Sequence, residues 1–140
     1  MITEDFVSFK VANLLKEKGF DEKTGFVYSE NGELMKLSDF GVRYLLNSEC
    51  DDYPHWQFPI EGVASIVSAP TIQMAMKWLR YVQGIDISID IRFWTDDEGV
   101  DVKSWRYTVY RTDEIEDFGQ SDTYEEACEE AIRFSLENLI

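Results

Sequence analysis

The chain has 140 residues and a mass of 16.3 kDa, of which 44% are hydrophobic and 14% aromatic, enough to bury a core and too apolar for a generically disordered chain. Its 28 acids outnumber its 13 bases, so the net charge is −15 and the pI near 4.3, a balance that opposes direct binding to nucleic acid or to anionic lipid. Two cysteines, Cys50 and Cys128, and one histidine, His55, are too few for a disulfide framework or a zinc site.

The first predicted element is a helix over 4–18. Thr3 is its expected cap, with two acids in the first turn where the helix dipole favours them. Phe6, Val7, Val11, Leu14 and Leu15 follow helical spacing. Gly19 stands where a left-handed stop belongs, which brings Phe20 back onto Leu15. Next, Asn31-Gly32 predicts a hairpin over 25–37 with a two-residue turn. That turn would pair Tyr28 with Met35 and Phe26 with Leu37 on one face, leaving Val27 and Lys36 on the other. Residues 38–68 carry an irregular aromatic stretch around Tyr53-Pro54-His55-Trp56 and one short strand over 63–67.

A second helix opens at Ala69-Pro70-Thr71, buries Ala75, Trp78, Leu79 and Val82, and ends at Gly84. The run Ile85 to Trp94 alternates strictly and predicts a half-buried strand. Thr95–Gly99 is its turn, and a return strand runs from Val100 to Thr112. The last helix starts with a capping box, Thr123 and Glu126, and runs Ala127, Cys128, Ala131, Phe134, Ser135 and Leu139 along one side, with Ile132 and Leu136 beside them. The order α-ββ-(β)-α-ββ-α implies an α+β fold in a single domain over 1–140. Its antiparallel hairpins would share one sheet with about three helices.

No catalytic, cofactor-binding or metal-binding residue emerges. Cys50 and His55 are close in sequence, but nothing marks an orienting group or an oxyanion pocket, so a loop thiol and a surface imidazole are the plainer reading. Cys128 reads as a small core residue. Thr95 to Asp101 is rich in oxygen ligands yet lacks the alternate spacing and closing glutamate of an EF-hand loop, so it reads as a solvated hairpin tip. Trp78 with Lys77 and Arg80 reads as core packing before it reads as a base-stacking patch. No basic region precedes an apolar run at the N-terminus, and no apolar stretch approaches the roughly 20 residues of a membrane span. The expectation is a cytoplasmic chain with two unlinked thiols, off the membrane and without a cofactor.

Two surfaces remain as candidates. From Thr112 onward ten acids face one base, Arg133, so −9 of the −15 lies there. Glu125, Glu126, Glu129 and Glu130 form its core, suited to keeping the chain in solution, to binding a basic partner or to imitating a nucleic-acid backbone. The second is the tip of the second hairpin. Pairing Trp94 with Val100 and Arg92 with Val102 puts Trp94, Val100 and Val102 on the polar, solvent side of the sheet. Such an apolar cluster, with Arg92 at its rim, is the form of a protein-partner or homodimer contact unless residues 38–68 cover it.

Three segments carry a resemblance: Phe6 through Leu14-Leu15-Lys16 to Gly19-Phe20, Ala69-Pro70-Thr71 through Trp78-Leu79-Arg80, and Tyr124-Glu125-Glu126-Ala127 running to Leu139-Ile140. In order and spacing they resemble a family of short, uncharacterised proteins encoded by phages and mobile elements of gut bacteria. The resemblance implies a phage or prophage accessory protein, and no activity or site residue. The leading expectation is therefore a non-enzymatic accessory protein acting through protein–protein contact. The alternatives are an acidic nucleic-acid mimic that blocks a host nucleic-acid-binding protein, and an enzyme with an unrecognised site.

Overall fold

The structure, a computed structural model, describes residues 4–50 and 65–140. The class is α+β, with four α-helices and six strands among the described residues. The strands form two three-stranded antiparallel sheets instead of the single sheet expected, because each hairpin acquires a third strand of its own. Residues 1–71 and 72–140 form two compact units.

In the first unit, α1 spans Phe9–Glu17, five residues later than the expected start. Ser8 is its cap: extended backbone at φ −64° and ψ 162° lets the hydroxyl accept from Val11 N at 3.2 Å. Phe6 and Val7 are drawn into extended pairing instead, Phe6 bridging Thr71 and Val7 N donating to Pro70 O at 3.1 Å. Tertiary pairing thus overrides the favourable first-turn charges, and Thr3 lies outside the described residues. The C-terminus is as expected. Phe20 N donates to Leu15 O and Gly19 N to Lys16 O, with Gly19 at φ +92°.

The first hairpin joins β1 (Phe26–Ser29) to β2 (Leu34–Lys36) with Val27 opposite Met35. The loop has three residues, Glu30 to Gly32, and only Gly32 is left-handed. The register therefore differs by one from the two-residue expectation, so the β1 side chains exchange faces while Met35 and Leu37 stay on the core side. Val27 is fully buried with Leu37, Leu45, Cys50 and Ile66, while Phe26 and Tyr28 are half-buried. A 3-10 turn over Leu37–Phe40, a short helix α2 (Asn47–Cys50) and strand β3 (Ile66–Ser68) complete the unit. Asn47 ties them together, donating to Phe20 O at 2.7 Å and accepting from Ser68 N at 2.9 Å. The aromatic stretch 51–62 lies outside the described residues.

In the second unit, α3 (Ile72–Val82) and α4 (Tyr124–Asn138) pack on one face of a sheet ordered β4 (Ile85–Thr95), β5 (Asp101–Arg111), β6 (Glu114–Ser121). α3 buries Ile72, Ala75, Met76, Trp78 and Leu79, so Trp78 is core. Val82, expected in that stripe, is exposed at the helix end. α4 starts at its expected cap, Thr123 Oγ1 accepting from Glu126 N at 3.1 Å. β6 was not expected. It follows a two-residue turn in which Thr112 takes φ +60°, an uncommon conformation for a β-branched residue. No helix among the described residues is long and apolar enough to cross a membrane.

Candidate interaction surfaces

The distal end of the β4–β5 hairpin is organised by one carboxylate. Asp96 Oδ1 accepts from Glu98 N and Val100 N, both at 2.9 Å, and Gly99 turns the chain at φ +80°. The loop therefore runs from Asp96 to Val100, and Trp94 pairs with Val102, not with Val100. The two-residue difference from the expected register keeps each strand side chain on its expected face. Arg92 stands opposite Ser104 instead of Val102, and Val100 belongs to the loop. Trp94 is 43% and Val100 55% exposed, while Val102 is half-buried. Residues 85–93 bear isoleucine and phenylalanine toward the helix side, but the helices do not reach the end of the hairpin. Phe93 is 70% exposed there and Ile91 39%. The hairpin end is thus apolar on both faces, and Phe93 was missed because alternation alone assigned it to the covered side.

The open face of this sheet has a second apolar end. Ile115 and Phe118 of β6 are exposed beside Tyr110 and Thr108. Thr108 lies six residues along β5 from Val102, roughly 20 Å at strand rise. Between the two ends sits the ion pair of Arg106 with Asp90 Oδ2 at 2.7 Å.

The acidic surface resolves into a groove between β6 and the first turns of α4. Asp122, Glu126, Glu129 and Glu130 line it, with Tyr107 and Gly119 at its base. Glu125, grouped with them in the sequence reading, is exposed and does not line the groove. Glu130 is also held by Arg133 at 2.7 Å, a half-exposed pair of little energetic weight. The Tyr107 hydroxyl donates to Asp117 Oδ2 at 3.0 Å. Burial first, then that bond and the charge of Asp117, push the phenol up to about 12.

Cys50 is buried in α2 and not a loop thiol, and His55 lies outside the described residues. Cys128 is fully buried, and burial pushes its thiol up to about 11, away from the reactive thiolate. Cys50 and Cys128 are not joined by a disulfide. Among the described residues no group of three or more His, Cys, Asp or Glu is placed to hold a metal ion. No protein-family model, curated protein or solved structure matches the chain.

Proposed function

We propose that the chain works by protein–protein contact and carries no chemistry of its own, offering the distal β4–β5 hairpin to a protein partner. The supporting observation is the exposure of Trp94, paired with half-buried Val102 on the open side of the sheet, with Val100 exposed in the adjoining loop. Aromatic anchors with a charged rim are the usual energetic centre of such contacts. Arg92, Asp96 and Asp97 supply that rim. The phage or prophage accessory context rests on the resemblance of the three segments above. The expected compartment is the cytoplasm.

Photo-crosslinking from position 94, followed by mass spectrometry, identifies the partner. Trp94→Ala should leave the circular dichroism and melting temperature unchanged and abolish the crosslinked species seen from a probe at position 100. Retention of the same species by Trp94→Ala/Val102→Ala refutes the assignment. The groove of Asp122, Glu126, Glu129 and Glu130 supports a second reading, a basic partner or a nucleic-acid-binding protein held by charge. Binding there should weaken steeply with salt, because exposed charges are screened over roughly 8 Å at physiological ionic strength. Glu126→Gln/Glu129→Gln should flatten that salt dependence.

A further inference from the structure

The geometry points to the outer edge of β4 as a pairing surface for a second copy of this chain, antiparallel, with Ile91 on the two-fold axis. The surface is a strand edge and does not depend on the partner contact proposed above.

β4 is an edge strand of eleven residues, and among the described residues no strand pairs with its outer side. Natural edges are normally blunted by brevity, bulges, proline or charge. The other edges follow that rule. β2 and β3 have three residues each, and β6 carries Glu114, Glu116 and Asp117 and a bulge opposite Val109 and Tyr110. β4 has no bulge, proline or glycine, and its three charged residues, Asp86, Asp90 and Arg92, are of both signs and share the open face. On its helix side Ile87 and Ile89 are half-buried and Ile91 and Phe93 exposed, so its apolar row is only partly covered.

The sequence of β4 is complementary to itself when Ile91 lies on the axis. With Ile91 opposite Ile91 of the second copy, Ile89 meets Phe93 twice on the helix side. On the open side Asp90 meets Arg92 twice. Asp90 commits Oδ2 to Arg106, which leaves Oδ1 for the second arginine. Shifting the axis by one residue to Asp90 would oppose two like carboxylates, which disfavours that pairing. A two-fold axis normal to the sheet keeps both copies' helices on one side and makes a six-stranded sheet, the isologous arrangement usual for dimers.

Directly opposed residues lie 4.5–5.5 Å apart between Cα atoms, roughly within disulfide reach. Residue 93 lies opposite residue 89, so two copies of residue 93 are about 14 Å apart along the strands. Full-length Ile91→Cys should therefore form a disulfide-linked dimer under mild oxidation, and Phe93→Cys should not. Cys50 and Cys128 are buried and do not interfere. Sedimentation of the wild-type chain should give twice 16.3 kDa at high concentration, and Ile91→Lys should halve that mass with an unchanged circular dichroism spectrum. A wild-type chain that stays monomeric at all concentrations overturns the proposal. So does Phe93→Cys crosslinking as readily as Ile91→Cys.

Discussion

Replacing Gly119 with alanine isolates one contact in the second unit. Glycine in a strand interior is less favourable than alanine by roughly 0.5–1 kcal/mol, so propensity alone predicts a gain. Gly119 lies directly opposite Tyr107, and the ring of that tyrosine crosses over it. A Cβ at position 119 would sit 2.7–2.8 Å from Cε1, Cζ and Oη of Tyr107, too close for carbon to tolerate. The ring is 9% exposed and anchored by its bond to Asp117, so moving it sacrifices that bond. Overpacking of this kind costs about 1–3 kcal/mol, and the propensity gain offsets part of it. Gly119→Ala should therefore lose about 1–2 kcal/mol in urea unfolding. The phenol, freed from burial and from Asp117, should titrate closer to 10, which 13C-tyrosine NMR reads directly. In a Tyr107→Val background the same substitution should be neutral or stabilising, because the obstructing ring is gone. A Gly119→Ala chain as stable as the parent, with Tyr107 in place, refutes the reasoning.

Alkaline pH should act through the same tyrosine. Its folded pKa of about 12 lies above the ordinary 10, so the unfolded chain loses its proton first. The stabilisation is complete below pH 10 and is lost as pH rises from 10 to 12, on the order of 2 kcal/mol, and Tyr107→Phe should remove that slope. Thr112→Gly should stabilise by about 1 kcal/mol in the same urea assay, since Thr112 holds φ +60° in a turn position suited to glycine. Ser8→Ala should cost about 1 kcal/mol, whereas Glu4→Gln should leave the melting temperature unchanged, because α1 is capped at Ser8 and Glu4 precedes it.

Helix ends were legible where a local signal matched a local bond, and illegible where distant pairing intervened. The stop at Gly19 and the cap at Thr123 depend on bonds within a few residues, and both stand where the sequence places them. The start of α1 depends on Phe6 and Val7 meeting residues 70 and 71, a contact between positions more than sixty apart. No spacing rule within 4–18 contains that information. β6 was missed for a related reason. Glu114 to Ser121 has no apolar alternation and includes a glycine, so its strand character comes from pairing with β5. The available signal was Thr112-Asp113, two turn-forming residues directly after a strongly apolar strand. Because β6 was missed, so were Ile115 and Phe118, which make the second apolar end of the open face.

The two hairpins show why the candidate surface was more legible than the strand register that carries it. Side-chain direction in a strand depends only on whether the register error is odd or even. At Asn31-Gly32 the loop gained one residue, and Val27 moved from the predicted outer face into the core. At Asp96–Val100 the pairing moved by two, so Trp94 and Val102 kept the outward face while exchanging partners. Composition reinforces the second result, since a core-facing Asp86, Ser88 and Asp90 would bury polar groups without partners. The same parity exposes what alternation cannot see. Phe93 has the correct face, but α3 and α4 end before they reach it, and coverage is a property of helix length and placement. An apolar residue near a hairpin tip is therefore a surface candidate on either face, and Phe93 belongs beside Trp94 in any test of what the hairpin binds.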